Sequence, residues 1–182
     1  VVTAGNIPPV VVKANLEPET LFATTSQVKV NVETEDKDGD SLRLICHWYM
    51  GSQKLPDSAT SISGLKLKKG DRFSIDVLAT DGESLSLGYV ITGTVANSPP
   101  VLGAKTDSIM TPPDSFVYNL PISDPDGDKM NFSLTSAPLS VKIDQETGRI
   151  FGKIDRPSPI EVRATDEEGA YLDIQFTLKP AK

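Results

Sequence analysis

Short apolar–polar alternations run through the whole chain. Val28, Val30 and Val32 alternate with Lys29, Asn31 and Glu33. Leu42, Leu44, Cys46 and Trp48 then alternate with Arg43, Ile45, His47 and Tyr49, and Phe73, Ile75 and Val77 repeat the pattern. Period two places alternate side chains on one face of a strand, so each stretch predicts a half-buried β-strand. Ser84 to Val95 predicts the last strand of this half, after an Asp81-Gly82 turn. The other half reads likewise: Phe116 to Leu120, then Met130, Phe132 and Leu134, then Ile160, Val162 and Ala164, then Leu172, Ile174, Phe176 and Leu178. Val141-Lys142-Ile143 enters an Asp144–Gly148 turn and leaves as Arg149-Ile150-Phe151-Gly152, which predicts a hairpin. No stretch carries apolar residues at helical spacing over a useful length. Many short strands with regular turn signals predict an all-β sandwich.

Three motifs recur in register. Asn6-Ile7-Pro8-Pro9 returns as Asn97-Ser98-Pro99-Pro100, Asp36-Lys37-Asp38-Gly39-Asp40 as Asp124-Pro125-Asp126-Gly127-Asp128, and Ala79-Thr80-Asp81 as Ala164-Thr165-Asp166. The offsets are 91, 88 and 85 residues, in the same order along the chain. Three motifs in order predict two copies of one architecture, residues 1–97 and 98–182, meeting near Ala96–Pro100. Paired prolines keep that junction extended and suit a short, stiff connector with little hinge freedom. The acidic turns at 36–40 and 124–128 are expected to close tight hairpins, Asp and Gly being the residues such turns demand.

Composition narrows the function classes. The chain has 182 residues, 25 acidic and 18 basic, for a net charge of −7. The acidity is shared, with 9 basic and 12 acidic residues in 1–97 and 9 and 13 in 98–182. Lys66, Lys68 and Lys69 form the densest basic cluster and read as a solvated strand end. No basic stripe interleaved with aromatics offers itself to nucleic acid or to an anionic membrane, and no apolar run reaches membrane-spanning length. The single cysteine, Cys46, excludes an intrachain disulfide and is expected to be buried. A start at Val1-Val2 without Met suggests a processed form or a piece of a longer protein.

Residues 98–182 resemble the cadherin-like immunoglobulin domains of bacterial surface proteins and of dystroglycan. The resemblance rests on Asp124–Asp128, on Ile143-Asp144-Gln145-Glu146-Thr147-Gly148-Arg149-Ile150-Phe151-Gly152 and on Ala164-Thr165-Asp166-Glu167-Glu168-Gly169. Residues 6–97 resemble a bacterial immunoglobulin-type repeat through Asp36–Asp40, His47-Trp48-Tyr49, Leu65 to Asp71 and Ala79-Thr80-Asp81-Gly82, with Trp48 at the place of a core C-strand tryptophan. The resemblance implies two tandem immunoglobulin-like (cadherin-like) β-sandwich domains. It also implies an extracellular, cell-surface or periplasmic location, of bacterial type.

The acidic turns are the site-like features. Ca²⁺ takes six to eight oxygens, many from carboxylates. The first repeat offers Asp36, Asp38 and Asp40, with Glu35 and Asp81; the second offers Asp124, Asp126, Asp128 and Asp166. In cadherins the motif that Asp166 matches supplies a calcium ligand. The spacing departs from an EF-hand, with Gly127 fourth rather than sixth, and the linker at Ala96-Asn97-Ser98 lacks the acidic residues of cadherin linkers. Ordinary turn chemistry also accounts for Asp and Gly here, so calcium stands beside a plain-turn reading.

His47 is the sole histidine and is expected on a strand face, without a Gly-x-Ser-x-Gly elbow or enough His and Cys for zinc. Trp48, Tyr49, Tyr89 and Tyr171 could stack on a sugar, although core packing explains them too. Asn131-Phe132-Ser133 is a glycosylation sequon, meaningful in a eukaryotic secretory setting. The expected function is a non-enzymatic structural or adhesive surface module whose partners are proteins, itself included, met through its edge strands. The alternatives are a glycan-binding module beside a polysaccharide-processing enzyme, or a subunit of a surface polymer that donates Val1-Val2 or Val10-Val11-Val12 as a strand.

Overall fold

The computed structural model describes residues 5–56, 58–104, 107–112 and 115–181. The chain divides into two compact units, the first running to Ala96 and the second beginning at Asn97. Every regular element among the described residues is a strand.

The first unit holds β1 (Val10–Glu17), β2 (Gln27–Glu35), β3 (Arg43–Met50), β4 (Gln53–Lys54), β5 (Ser61–Ser63), β6 (Arg72–Thr80) and β7 (Tyr89–Thr94). One sheet has the order β1-β2-β5 and the other β4-β3-β6-β7, so the chain crosses between sheets after β2, β4 and β5, in the manner of an immunoglobulin-type sandwich. The alternating stripes face one another: Val28 and Val30 from β2, Cys46 and Trp48 from β3, and Ile75, Val77 and Ala79 from β6 are buried in a single cluster. Each such Val or Ile side chain withdrawn from water contributes about 1.5–3 kcal/mol before entropy is charged. Trp48 is 4% exposed, and its Nε1 donates to the Ala59 carbonyl at 2.8 Å. The indole therefore fills the core with no donor left unbonded. Cys46 is buried and free, and its thiol pKa is raised by burial first and by the charge of Asp76 second.

The second unit holds β8 (Val101–Leu102), β9 (Ser108–Thr111), β10 (Phe116–Asn119), β11 (Ile122–Ser123), β12 (Met130–Ser136), β13 (Val141–Ile143), β14 (Arg149–Gly152), β15 (Ser158–Asp166) and β16 (Tyr171–Pro180). Its sheets are ordered β10-β14-β13 and β12-β15-β16-β9, with β11 paired to β8. β9 runs parallel to β16, whereas every other pairing in the unit is antiparallel. Ile150, Ile160, Val162 and Leu178 are fully buried between the sheets. The β13–β14 hairpin forms in the register Val141↔Gly152 to Ile143↔Ile150. Its glycines are structural. Gly148 has φ +66° and lies against the Phe132 ring, while Gly152 packs so tightly on the Ser140–Val141 backbone that a Cβ has no room.

Two expectations need correction. The acidic turns do not close hairpins. β2 pairs with β1 and β5 while β3 pairs with β4 and β6, so residues 36–42 carry the chain from one sheet to the other. Residues 124–129 do the same between β11 and β12. Alternation reports which face of a strand is buried and is silent on which strand lies beside it. Lys66, Lys68 and Lys69 lie on the connection between β5 and β6 rather than at a strand end, with Leu67 turned into the core. Val10 to Val12 belong to β1, paired with β2, and Val1-Val2 lies outside the described residues.

Candidate metal centres at the acidic corners

The three repeated motifs, far apart along the chain, meet in each unit. In the first, Asp36 Oδ1 accepts the backbone N–H of Asp38 at 2.8 Å and of Asp40 at 3.3 Å. Asp38 Oδ2 accepts the Ile7 N–H at 2.7 Å. Asn6 Nδ2 donates to Asp81 Oδ2 at 3.0 Å and to Ser84 Oγ at 2.9 Å. Asp81 Oδ1 in turn accepts Glu83 N–H and Ser84 N–H at 2.7 and 2.6 Å. The Asp81 carboxyl is held below its ordinary pKa, chiefly by the Asn6 side-chain donor and then by the Ser84 backbone N–H.

The second unit repeats this. Asp124 Oδ1 accepts Asp126 N–H at 2.8 Å and Asp128 N–H at 3.3 Å. Asp126 Oδ2 accepts Ser98 N–H at 2.6 Å, and Asn97 Nδ2 donates to Asp166 Oδ2 at 2.7 Å. Asp166 Oδ1 accepts Glu168 N–H and Ala170 N–H, both at 2.9 Å. The acidic corner and the turn after β6 or β15 thus clasp the Asn-x-Pro-Pro segment that leads into each sandwich. The second proline of each segment, Pro9 and Pro100, is fully buried.

Local sequence builds the corners. An Asp side chain accepting the N–H two residues on forms an Asx-turn, and the following glycine takes positive φ, +79° at Gly39 and +82° at Gly127. The turn holds one oxygen of Asp36 and of Asp124 and points the other elsewhere. Those other oxygens, Asp36 Oδ2 and Asp124 Oδ2, are buried without a hydrogen-bond partner, as is Asp126 Oδ1. A buried carboxylate oxygen lacking a donor is costly, and most such groups in folded proteins have a partner.

The carboxylates also crowd one another. One oxygen each of Asp36, Asp38 and Asp40 lie within 4.8 Å of one another, and so do oxygens of Asp124, Asp126 and Asp128. Two unit charges about 4 Å apart repel by ~1 kcal/mol in water and ~4 kcal/mol near a protein surface. Oxygens that share one Ca²⁺ at about 2.3–2.6 Å stand no further apart than about 5 Å. All-oxygen donors, orphaned oxygens and this spacing fit a hard divalent cation, with water and backbone carbonyls making up the coordination number. Asp166 is outside the close trio, its oxygens engaged by three N–H donors.

The remaining candidates do not assemble. His47 lies half-buried on β3 opposite Asp76 and belongs to neither trio. Of the proposed sugar platform, Trp48 is in the core, while Tyr49 and Tyr89 are half-buried in the first unit. Tyr171 is an exposed residue of the second unit with the Arg163 guanidinium 4.1 Å over its ring. Sequence reasoning listed the carboxylates and missed Asn6 and Asn97 as donors, although both stand in the repeated motif that marked the junction.

No protein-family model matches the chain, and no curated protein sequence does. Among solved structures, extracellular cadherin domains 1–5 of protocadherin gamma B2 align over 96% of this chain and 40% of theirs, at 14% identity and a TM-score of 0.42. Human protocadherin-24 EC1-2 aligns over 98% and 99%, at 13% identity and a TM-score of 0.41. The endo-fucoidan hydrolase MfFcnA4 of glycoside hydrolase family 107 aligns over 95% and 27%, at 17% identity and a TM-score of 0.39. The chain thus spans less than half of the protocadherin gamma B2 chain.

Proposed function

We propose that the chain is a non-enzymatic, extracellular pair of structural or adhesive modules whose acidic corners bind Ca²⁺. The observation that carries this reading is the duplicated corner: a carboxylate trio with buried, unpartnered oxygens beside the segment that leads into each sandwich. Asp36, Asp38 and Asp40 would hold one ion, and Asp124, Asp126 and Asp128 the other. A bound cation supplies positive charge that relieves the mutual repulsion and satisfies the orphaned oxygens. Asp38 and Asp126, each a member of its trio, also accept a backbone N–H of the leading segment, so a cation on the trio would be coupled to the order of that segment. Such a role suits extracellular modules, which work at calcium affinities of about 10⁻⁴–10⁻³ M. Edge strands, among them β1, β5, β4, β7, β10, β13 and β12, are the surfaces by which the modules meet other proteins or themselves.

The test is a thermal melt in excess Ca²⁺ and again in EDTA. A cation bound by the folded state alone at 100 times its Kd adds about 2.7 kcal/mol, an upward shift of several degrees for each domain. Asp38→Asn and Asp126→Asn keep the side-chain shape and remove a charge, so each is expected to abolish the shift of its own unit. A chain whose melting is indifferent to Ca²⁺ leaves the corners as sheet-to-sheet turns and removes the reading.

A further inference from the structure

We propose that the first unit binds an acidic saccharide on the outer face of its β4-β3-β6-β7 sheet, with Arg72 as the seat of the oxyanion. Phe73 and Ile75 of β6 are buried in the core, so alternation turns Arg72 and Ser74 outward. Gly93 of β7 stands against the buried Phe73 ring, which turns Thr92 and Thr94 outward as well. The register pairs Arg72 with Thr94 and Ser74 with Thr92. Directly paired Cβ atoms lie about 4.5–5.5 Å apart, and the two rows are about 7 Å apart along the strands, a rectangle with the footprint of a sugar ring. Short side chains leave it hollow. A cavity of about 340 Å³ opens there, bounded at one end by Gly51, whose N–H donates to the Arg72 carbonyl at 2.7 Å.

The polar groups around the hollow are unspent. Among the described residues, Arg72 makes no ion pair, and none of the Arg72, Ser74, Thr92 and Thr94 side chains makes a hydrogen bond. No carboxylate lines the hollow, although the chain carries 25 acidic residues to 18 basic. Asp76, the acid on the same face of β6, belongs to the next row, and one of its oxygens is buried against Gly88. Lys54 adds a second cation to this face, since it pairs with Tyr49 and Tyr49 with Ser74. A guanidinium takes a sulfate or carboxylate through its planar fork, while a hydroxyl both donates and accepts. A bare anion would use the fork and leave the hydroxyls idle, and a neutral sugar would leave the charge idle. A sugar carrying one sulfate or carboxylate engages both. The net charge of −7 sets a repulsive field against a polyanion such as a nucleic acid. None of these residues belongs to the acidic corners, and the proposal stands or falls apart from the calcium reading.

The probes are glucose 6-sulfate, glucuronate, glucose and inorganic sulfate, each titrated into the whole chain to about 10 mM and followed by amide NMR shifts. Saturable shifts at residues 51, 72–74 and 92–94 with one or both acidic sugars are the expected result, at a Kd near 1 mM and at least about tenfold tighter than glucose or sulfate. The acidic sugar that binds more tightly supports the proposal and names the oxyanion. Arg72→Gln removes the charge from an exposed strand residue and should weaken the acidic sugar at least about tenfold. Thr92→Val with Thr94→Val keeps the strand shape and should weaken the acidic sugar severalfold while leaving inorganic sulfate unmoved, a split that a bare anion site would not show. If Arg72→Gln does not fold, the threonine pair decides alone. The proposal is overturned by an absence of shifts with both acidic sugars, by sulfate or glucose binding as tightly as they do, by shifts confined to another part of the chain, or by a folded variant of either kind that binds the acidic sugar unchanged.

Discussion

The two acidic corners and their clasps share five hydrogen bonds atom for atom and differ in how far they are withdrawn from water. Asp38 and Asp40 of the first are exposed and one of its oxygens is orphaned; all three aspartates of the second are half-buried and two oxygens are orphaned. The turn sequence dictates the bonds inside each turn, because an Asp-x-Asp-Gly-Asp stretch closes its own Asx-turn, whereas the bonds to the leading segment need the fold. Burial is set by what packs around the turn. The same motif therefore gives a more solvated turn in one setting and a more buried one in another, and under the calcium reading the second corner has more to gain from an ion.

The comparison breaks most sharply through the cores. Trp48→Ala removes the largest core side chain of the first unit and one satisfied donor, and should cost about 3–5 kcal/mol there. If the units fold independently, calorimetry will show one transition shifted and the other unmoved; a common shift of both would mean that they unfold together. Next in size is calcium. At equal Ca²⁺, Asp126→Asn is expected to lose up to about 2.7 kcal/mol of ion-dependent stability and Asp38→Asn less. Equal losses in the melts of the two variants would show that burial does not rank the sites.

The clasps come next. Asn97→Ala takes a donor from Asp166, which is 6% exposed, and should destabilise the second unit by about 1–3 kcal/mol, read by urea unfolding. Asn6→Ala acts on a more exposed pair and should do less. The smallest effect is acid sensitivity. The pKa values of Asp81, Asp144 and Asp173 are lowered in the folded chain: by Asn6, by the Thr147 backbone N–H and by Arg163, each the leading cause. A lowered folded pKa means stability that is complete above the unfolded value, about 3.9, and that fades as pH falls through the folded value. Unfolding at about pH 3 should therefore show a loss relative to neutral pH, and Asn6→Ala should shrink the first unit's share. A variant that keeps the full acid sensitivity would remove Asn6 as the cause.

Much of this was legible in the residues. Val28, Val30, Cys46, Trp48, Ile75 and Val77 announced their buried faces by period, and all are buried in one core. The Asp144–Gly152 hairpin was readable because its register is local and its glycines carry the turn. The short strands β4, β5, β8 and β9 were not, since two to four residues carry too little alternation to stand out. Of the two readings open for the aromatics, core packing is the one Trp48 follows, as its strand period indicated.

By itself, then, the sequence determined an all-β chain, its buried faces, its repeated motifs and the acidic residues proposed as cation ligands. These follow from strand period and turn chemistry, both local properties of neighbouring residues. Only the tertiary structure decided that the acidic turns cross between sheets, that Asn6 and Asn97 reach Asp81 and Asp166, and which carboxylate oxygens lose both water and donor. Those depend on strands distant along the chain being packed side by side, and the free energy of that packing belongs to the pairs of surfaces brought together rather than to any one stretch.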